Sequence, residues 1–183
     1  KDGEIIGDIF GTVQKIENNS VLILNNTNKY MSAVTLIGIN NVAKDITDML
    51  STSEKSSYNI NELMDNLSLI PRITMETKEK YIPQVLNLES LDGINYKKGC
   101  YTGQEIVART HYLGKIKKKI LLLSELELST KVGDKLHDKD GEIIGDIFGT
   151  VQKIENNFIC LCVIKIEAMK EDIFLGNKKV KIF

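Results

Sequence analysis

The sequence predicts an α+β fold, in which an α+β module over residues 20–114 is followed by a small antiparallel β-barrel or sandwich over residues 115–183. Three observations carry this prediction. Two branched apolar runs, Val21 to Leu24 and Val34 to Ile39, precede stretches whose apolar residues fall at helical spacing. A turn bounded by Gly99 and Gly103 leads into Ile106, Val107 and Thr110, again at helical spacing. From Lys115 onward, short strand-like segments follow one another with turn residues between most of them.

The first two strands flank Asn25-Asn26-Thr27-Asn28, a run of turn formers. Asn40 or Asn41 is placed to cap a helix bearing Val42, Ile46, Met49 and Leu50 on one face. Ser51 to Tyr58 reads as a loop, and Ile60, Leu63, Met64 and Leu67 form a second helical stripe ending before Pro71. Strands followed by helices suit helices packed on one side of a sheet. Thr102 and Glu105 have the spacing of a capping box, which predicts that the next helix opens at Thr102. Beyond Gly114, the predicted strands are Ile116–Leu123, Lys131–His137, Glu142–Ile147, Thr150–Ile154, Phe158–Ile166 and Lys178–Phe183.

Residues 1–19, KDGEIIGDIFGTVQKIENN, recur unchanged as residues 139–157. Solenoid arrays need several diverged copies, so two identical copies do not describe a repeat fold. The second copy lies in the predicted barrel, where Asp138-Lys139-Asp140-Gly141 makes a turn. The first copy is in a non-native context, and a hairpin formed from the same local propensities is the expectation for it.

Composition excludes several classes of function. Twenty-four basic and 25 acidic residues leave a net charge of −1, so no global field draws the chain to nucleic acid or anionic lipid, and any RNA contact must be local. The longest apolar run, Phe158 to Ile164, is far short of the roughly 18 residues a membrane-spanning helix needs. No signal-peptide pattern opens the sequence, and three cysteines form no disulfide framework, so a reducing cytoplasm is expected.

Lys97-Lys98-Gly99-Cys100-Tyr101-Thr102-Gly103-Gln104-Glu105 holds the leading candidate for chemistry. Cys100 falls just ahead of a helix start, where the positive end of the dipole favours an anion, and two lysines precede it. The competing reading is a small apolar residue tucked beneath the helix. Cys160 and Cys162 share a strand face, but no second pair or nearby histidine completes a metal site, so they read as core. His111 and His137 read as surface or cap residues. Lys115, Lys117, Lys118 and Lys119 form a dense basic run, suited either to phosphates or to protecting a solvated strand edge.

The string K-K-G-C-Y-T-G-Q-E resembles the signature of the YgfZ family, folate-binding proteins associated with tRNA modification and related to the T-protein of the glycine cleavage system. The resemblance extends through Ile70-Pro71-Arg72-Ile73, Tyr81-Ile82-Pro83-Gln84, Asn87-Leu88-Glu89, Gly93, Ile106-Val107-Ala108-Arg109 and Tyr112-Leu113-Gly114-Lys115. It implies that residues 20–114 are a partial folate-binding module, that the chain corresponds to the C-terminal part of longer members, and that the last module is a β-barrel. It implies an accessory protein that binds tetrahydrofolate or a derivative and supports tRNA-modifying iron–sulfur enzymes, with no demonstrated reaction of its own. By the same resemblance, Tyr81, Gln84 and Glu89 are expected in the folate cleft, with Lys97, Lys98, Tyr101, Gln104 and Glu105 of the signature beside them; Cys100 is the candidate reactive thiol on its helix-start and lysine setting, and no metal site is expected from the ligand count. The alternative is a tetrahydrofolate-dependent aminomethyltransferase like the T-protein. The family's Arg-x-Glu-x-Gly-x-Pro pattern is replaced by Asp65 to Pro71 and the chain has no tryptophan, so folate affinity is expected to be weakened or lost.

Overall fold

The computed structural model of the chain describes residues 11–16, 19–25, 34–38 and 59–183. The turn at 26–28, the helix expected after Asn40 and the loop at 51–58 lie outside the described residues. Two compact units divide the chain, Lys1–Ser57 and Tyr58–Phe183.

The first unit contains a three-stranded antiparallel sheet of β1 (Gly11–Ile16), β2 (Asn19–Asn25) and β3 (Val34–Gly38), in that order. In the β1–β2 pair, Gln14 faces Val21 and Ile16 faces Asn19.

The second unit opens with α1 (Ile60–Leu67), which begins where Asn59 Oδ1 accepts a hydrogen bond from the Glu62 N–H at 3.3 Å. Leu63, Met64 and Leu67 are buried, as the helical stripe predicts. Turns then carry the chain to α2 (Gln104–Leu113). Seven strands follow: β4 (Lys118–Ser124), β5 (Lys135–His137), β6 (Ile143–Ile147), β7 (Gln152–Ile154), β8 (Asn157–Lys165), β9 (Ile173–Leu175) and β10 (Lys178–Ile182).

Six of these close into an antiparallel barrel in the order β4-β10-β9-β5-β6-β8, with β8 returning to β4, while β7 pairs with β8 alone. The fold is α+β with a small C-terminal barrel, as predicted. Its core is the cluster of Leu123, Leu136, Ile147, Cys160, Cys162, Ile164, Ile173 and Val180 with their neighbours. Every residue of β8 from Ile159 to Ile164 is buried, because the barrel covers one face and α1 packs against β7 and β8. Asn66 and Glu62 fix that packing: Asn66 Nδ2 donates to Thr150 O (3.2 Å), and Gln152 Nε2 and Thr150 Oγ1 donate to Glu62 Oε2 (2.8 and 3.1 Å).

Strand β9 and the 3-10 turn at Ile166–Lys170 go beyond the sequence reading. Strand β9 is Ile173-Phe174-Leu175, three apolar residues in a row with no alternation to register. Its signal is the two-residue loop Gly176-Asn177, with Gly176 at φ +58°, a combination that marks a tight hairpin.

Candidate functional site

The helix start at the signature differs from the capping-box expectation. Helix α2 begins at Gln104, and its N-cap is Gly103 in the left-handed region at φ +85°, with no side-chain cap. Thr102 and Glu105 are exposed, and the residue that folds back is Gln104, whose Oε1 accepts the Tyr101 N–H at 3.3 Å. Glycine adopts this torsion without a Cβ penalty, and that displaces the helix start past the position where Thr102 could cap it.

The preceding loop is held locally. Asn95 Oδ1 accepts the N–H groups of Lys97 (2.8 Å) and Lys98 (3.1 Å), an Asx turn that sets both lysines on the surface. Lys98 Nζ lies 4.6 Å from the centroid of the Tyr101 ring, a cation–π contact. Cys100 is exposed between them, so it is not packed under the helix. The other two thiols lie in the barrel core. Burial, with a contribution from Asp134, pushes Cys160 up to about 12, and burial also raises Cys162 well above the ordinary thiol value. Cys100 is therefore the thiol that a reagent can reach in the folded chain.

Gln84 and Glu89 come together with residues that the sequence did not single out. Gln84 is buried, and its Nε2 donates to Val107 O at 2.6 Å, tying the Tyr81–Asn87 segment to α2. Its Oε1 is buried with no hydrogen-bond partner. Tyr96 donates its hydroxyl to Glu89 Oε1 at 3.2 Å, and His111 Nδ1 contacts the same oxygen. The Tyr96 and His111 rings stack with centroids 4.1 Å apart, and Tyr112 meets both edge-on at 6.2 and 4.7 Å. Desolvation raises the Tyr96 phenol above its usual value, and the Glu89 bond and charge add to this. The phenol therefore stays a hydrogen-bond donor. The sequence reading took His111 for a surface or cap residue and did not group it with Tyr96 and Tyr112, because no local spacing links them to Glu89; only the fold of residues 84–96 against α2 brings them together.

Tyr81 is engaged elsewhere. Its hydroxyl donates to Asp146 Oδ1 on β6, and its ring meets Phe148 edge-on at 5.9 Å. Burial and Asp146 hold its phenol protonated far above neutral pH.

No protein-family model matches the chain. Curated relatives do. The chain is 38% identical over 120 residues to the tRNA-modifying protein YgfZ of Colwellia psychrerythraea, a match covering 63% of this chain and 35% of that protein. It is 33% identical over 134 residues to the protein of that name from Aliivibrio fischeri, covering 73% of this chain and 38% of the relative. A match to the Hamiltonella defensa protein reaches 49% over 61 residues, which is 33% of this chain and 18% of that protein. These matches support membership of the YgfZ family over the C-terminal portion of its members. The chain spans about a third of the length of the first two of these YgfZ relatives. Among its described residues, no helix is long and apolar enough to cross a membrane.

Proposed function

We propose that this chain is a folate-binding accessory module that supports tRNA modification and the maintenance of iron–sulfur enzymes. The tRNA side of this reading rests on the relatives, each named a tRNA-modifying protein. The folate side rests on the cluster around Gln84, and above all on its buried, unpartnered Oε1. A buried acceptor without a donor costs on the order of 1–3 kcal/mol, which a ligand donor reaching it would relieve.

The donor set fits a reduced folate. A pterin ring carries several N–H groups, and Gln84 Oε1 and Glu89 are acceptors for them. Tyr96, His111 and Tyr112 supply aromatic faces in a chain with no tryptophan. Exposed Lys97 and Lys98 suit the glutamate carboxylates at the other end of the molecule. A bound reduced folate would supply a carrier for one-carbon units. The protein's part is to orient the ring through Gln84 and Glu89 and to hold the tail by charge. With the tryptophans absent, the site forgoes stacking contacts worth about 0.5–1.5 kcal/mol each, so binding is weak and salt-sensitive.

Titration calorimetry with tetrahydrofolate at two ionic strengths tests this reading. Heat that diminishes at the higher ionic strength, and diminishes again when Lys97 and Lys98 are reversed to glutamate, is expected. Absence of heat at both ionic strengths would reject folate binding by this chain.

A further inference from the structure

Where Tyr81 meets Asp146 of β6, a pocket of about 280 Å3 is lined by Lys80, Tyr81, Lys118, Lys135, Asp146 and Lys165, with residues 143–145 of β6 completing it. We propose that this pocket is a phosphate site that takes the backbone of an RNA strand. The inference rests on the tRNA side of the function proposed above, but it concerns residues that the folate cluster does not use.

Four lysines surround a single carboxylate, and that carboxylate is already occupied. Asp146 Oδ1 accepts the Tyr81 hydroxyl, and its Oδ2 lies 3.6 Å from Lys135 Nζ. Lys80, Lys118 and Lys165 make no ion pair with any carboxylate among the described residues. Lys118 and Lys165 stand directly opposite each other across the β4–β8 ladder, and like charges in that relation repel. The arrangement becomes favourable when an anion sits between them.

Edge protection does not account for these lysines. Strand β4 pairs with β8 from Lys118 to Leu123 and with β10 at Leu123 and Ser124, and its Ile120 N–H donates to Val85 O at 2.9 Å. A strand bonded on both sides has little edge to defend. Exposed Lys115 and Lys117 adjoin Lys118 along the chain, while exposed Lys119 alternates to the other face of β4. A free phosphate would fill only the pocket. A nucleic-acid backbone repeats its charge along a line, and that suits a pocket with cations leading away from it.

Fluorescence anisotropy of labelled tRNA, titrated with the full chain over a range of salt concentrations, tests the site. The variants are Lys118→Gln, Lys165→Gln and their double, with Lys118→Arg as the charge-preserving partner and Lys179→Gln as a distant control paired to Asp172. Each glutamine substitution is expected to weaken binding several-fold at low salt and to lower the slope of log affinity against log salt by about one. The arginine variant and the control should match the native chain. Equal affinity and slope in the Lys118→Gln/Lys165→Gln double would overturn the proposal. So would binding of inorganic phosphate, read as protection against thermal unfolding, in a chain that binds no tRNA. Tetrahydrofolate calorimetry on the double variant separates this failure from that of the folate reading, because the folate cluster shares no residue with the pocket. Modified-nucleoside analysis of cells that depend on this chain tests the tRNA role on its own.

Discussion

At Gly103 the backbone turns through φ +85°, and this one torsion moves the start of α2 beyond the point that the capping-box spacing indicates. Nothing lies within 4 Å of a Cβ built there, so a substitution is opposed by the torsion and not by crowding. Gly103→Ala is therefore expected to cost roughly 1–2 kcal/mol, the usual penalty for an L-residue in the left-handed region. Thr102→Ala should leave the urea midpoint where it is, because the Thr102 side chain caps nothing. A midpoint lowered by Thr102→Ala and spared by Gly103→Ala would restore the capping box. Spacing in sequence marked the right helix and missed its first residue, since T-x-x-E and the left-handed glycine compete for the same turn.

The elements show more clearly what sequence can and cannot reveal. Residues 11–19 and 149–157 are identical, and they form the start of the same hairpin in the same register: Ile16 faces Asn19 as Ile154 faces Asn157, and Gln14 faces Val21 as Gln152 faces Ile159. A register repeated in two contexts is locally encoded. The identity ends there. Val163 and Ile164, fully buried in β8, correspond to Asn25 and Asn26 after the first copy, so only the second copy continues into a strand the barrel core accepts. Five of the six barrel strands, and β7 beside them, were legible because their apolar residues lie between clear turn signals, whereas β9 was not. Where β6 meets β8, a Cβ on Gly145 would lie 2.4 Å from Val163 O. Two paired backbones cannot separate without breaking the ladder, so Gly145→Ala is expected to cost about 1–3 kcal/mol, as overpacking does. Denaturant midpoints measure this, and a neutral substitution would mean that the β6–β8 approach is looser than described here.

For the whole molecule, burial couples the barrel to alkaline pH. Cys160 is pushed up to about 12, and Cys162 and Tyr81 are raised as well, chiefly by burial. In the unfolded chain thiols ionise near pH 8.5. The folded chain thus holds protons that the unfolded chain has lost, and unfolding is favoured as pH rises. The stability these groups contribute is complete below about pH 8.5 and is lost as pH climbs towards 12, at up to about 1.4 kcal/mol per pH unit for each thiol. Urea midpoints from pH 7 to 10.5 should fall, and Cys160→Val should fall less steeply. A flat native profile would show that the thiols ionise inside the folded barrel.

The molecule as a whole also sets the test of the proposed folate site, because the residues of the Gln84–His111 cluster come from segments far apart in sequence. Gln84 and Glu89 were expected near a ligand by resemblance to the family, while only the fold brings Tyr96 and His111 beside Glu89. The chain has two histidines, and only His111 is in the cluster; His137 lies on β5 of the barrel. Nitrogen–proton NMR of the two imidazoles during a tetrahydrofolate titration thus carries its own control. The His111 resonances are expected to shift to saturation while those of His137 stay in place, and Glu89→Gln to weaken the response. Tetrahydrofolate that leaves His111 unmoved, or that moves both histidines alike, would contradict a folate site at this cluster.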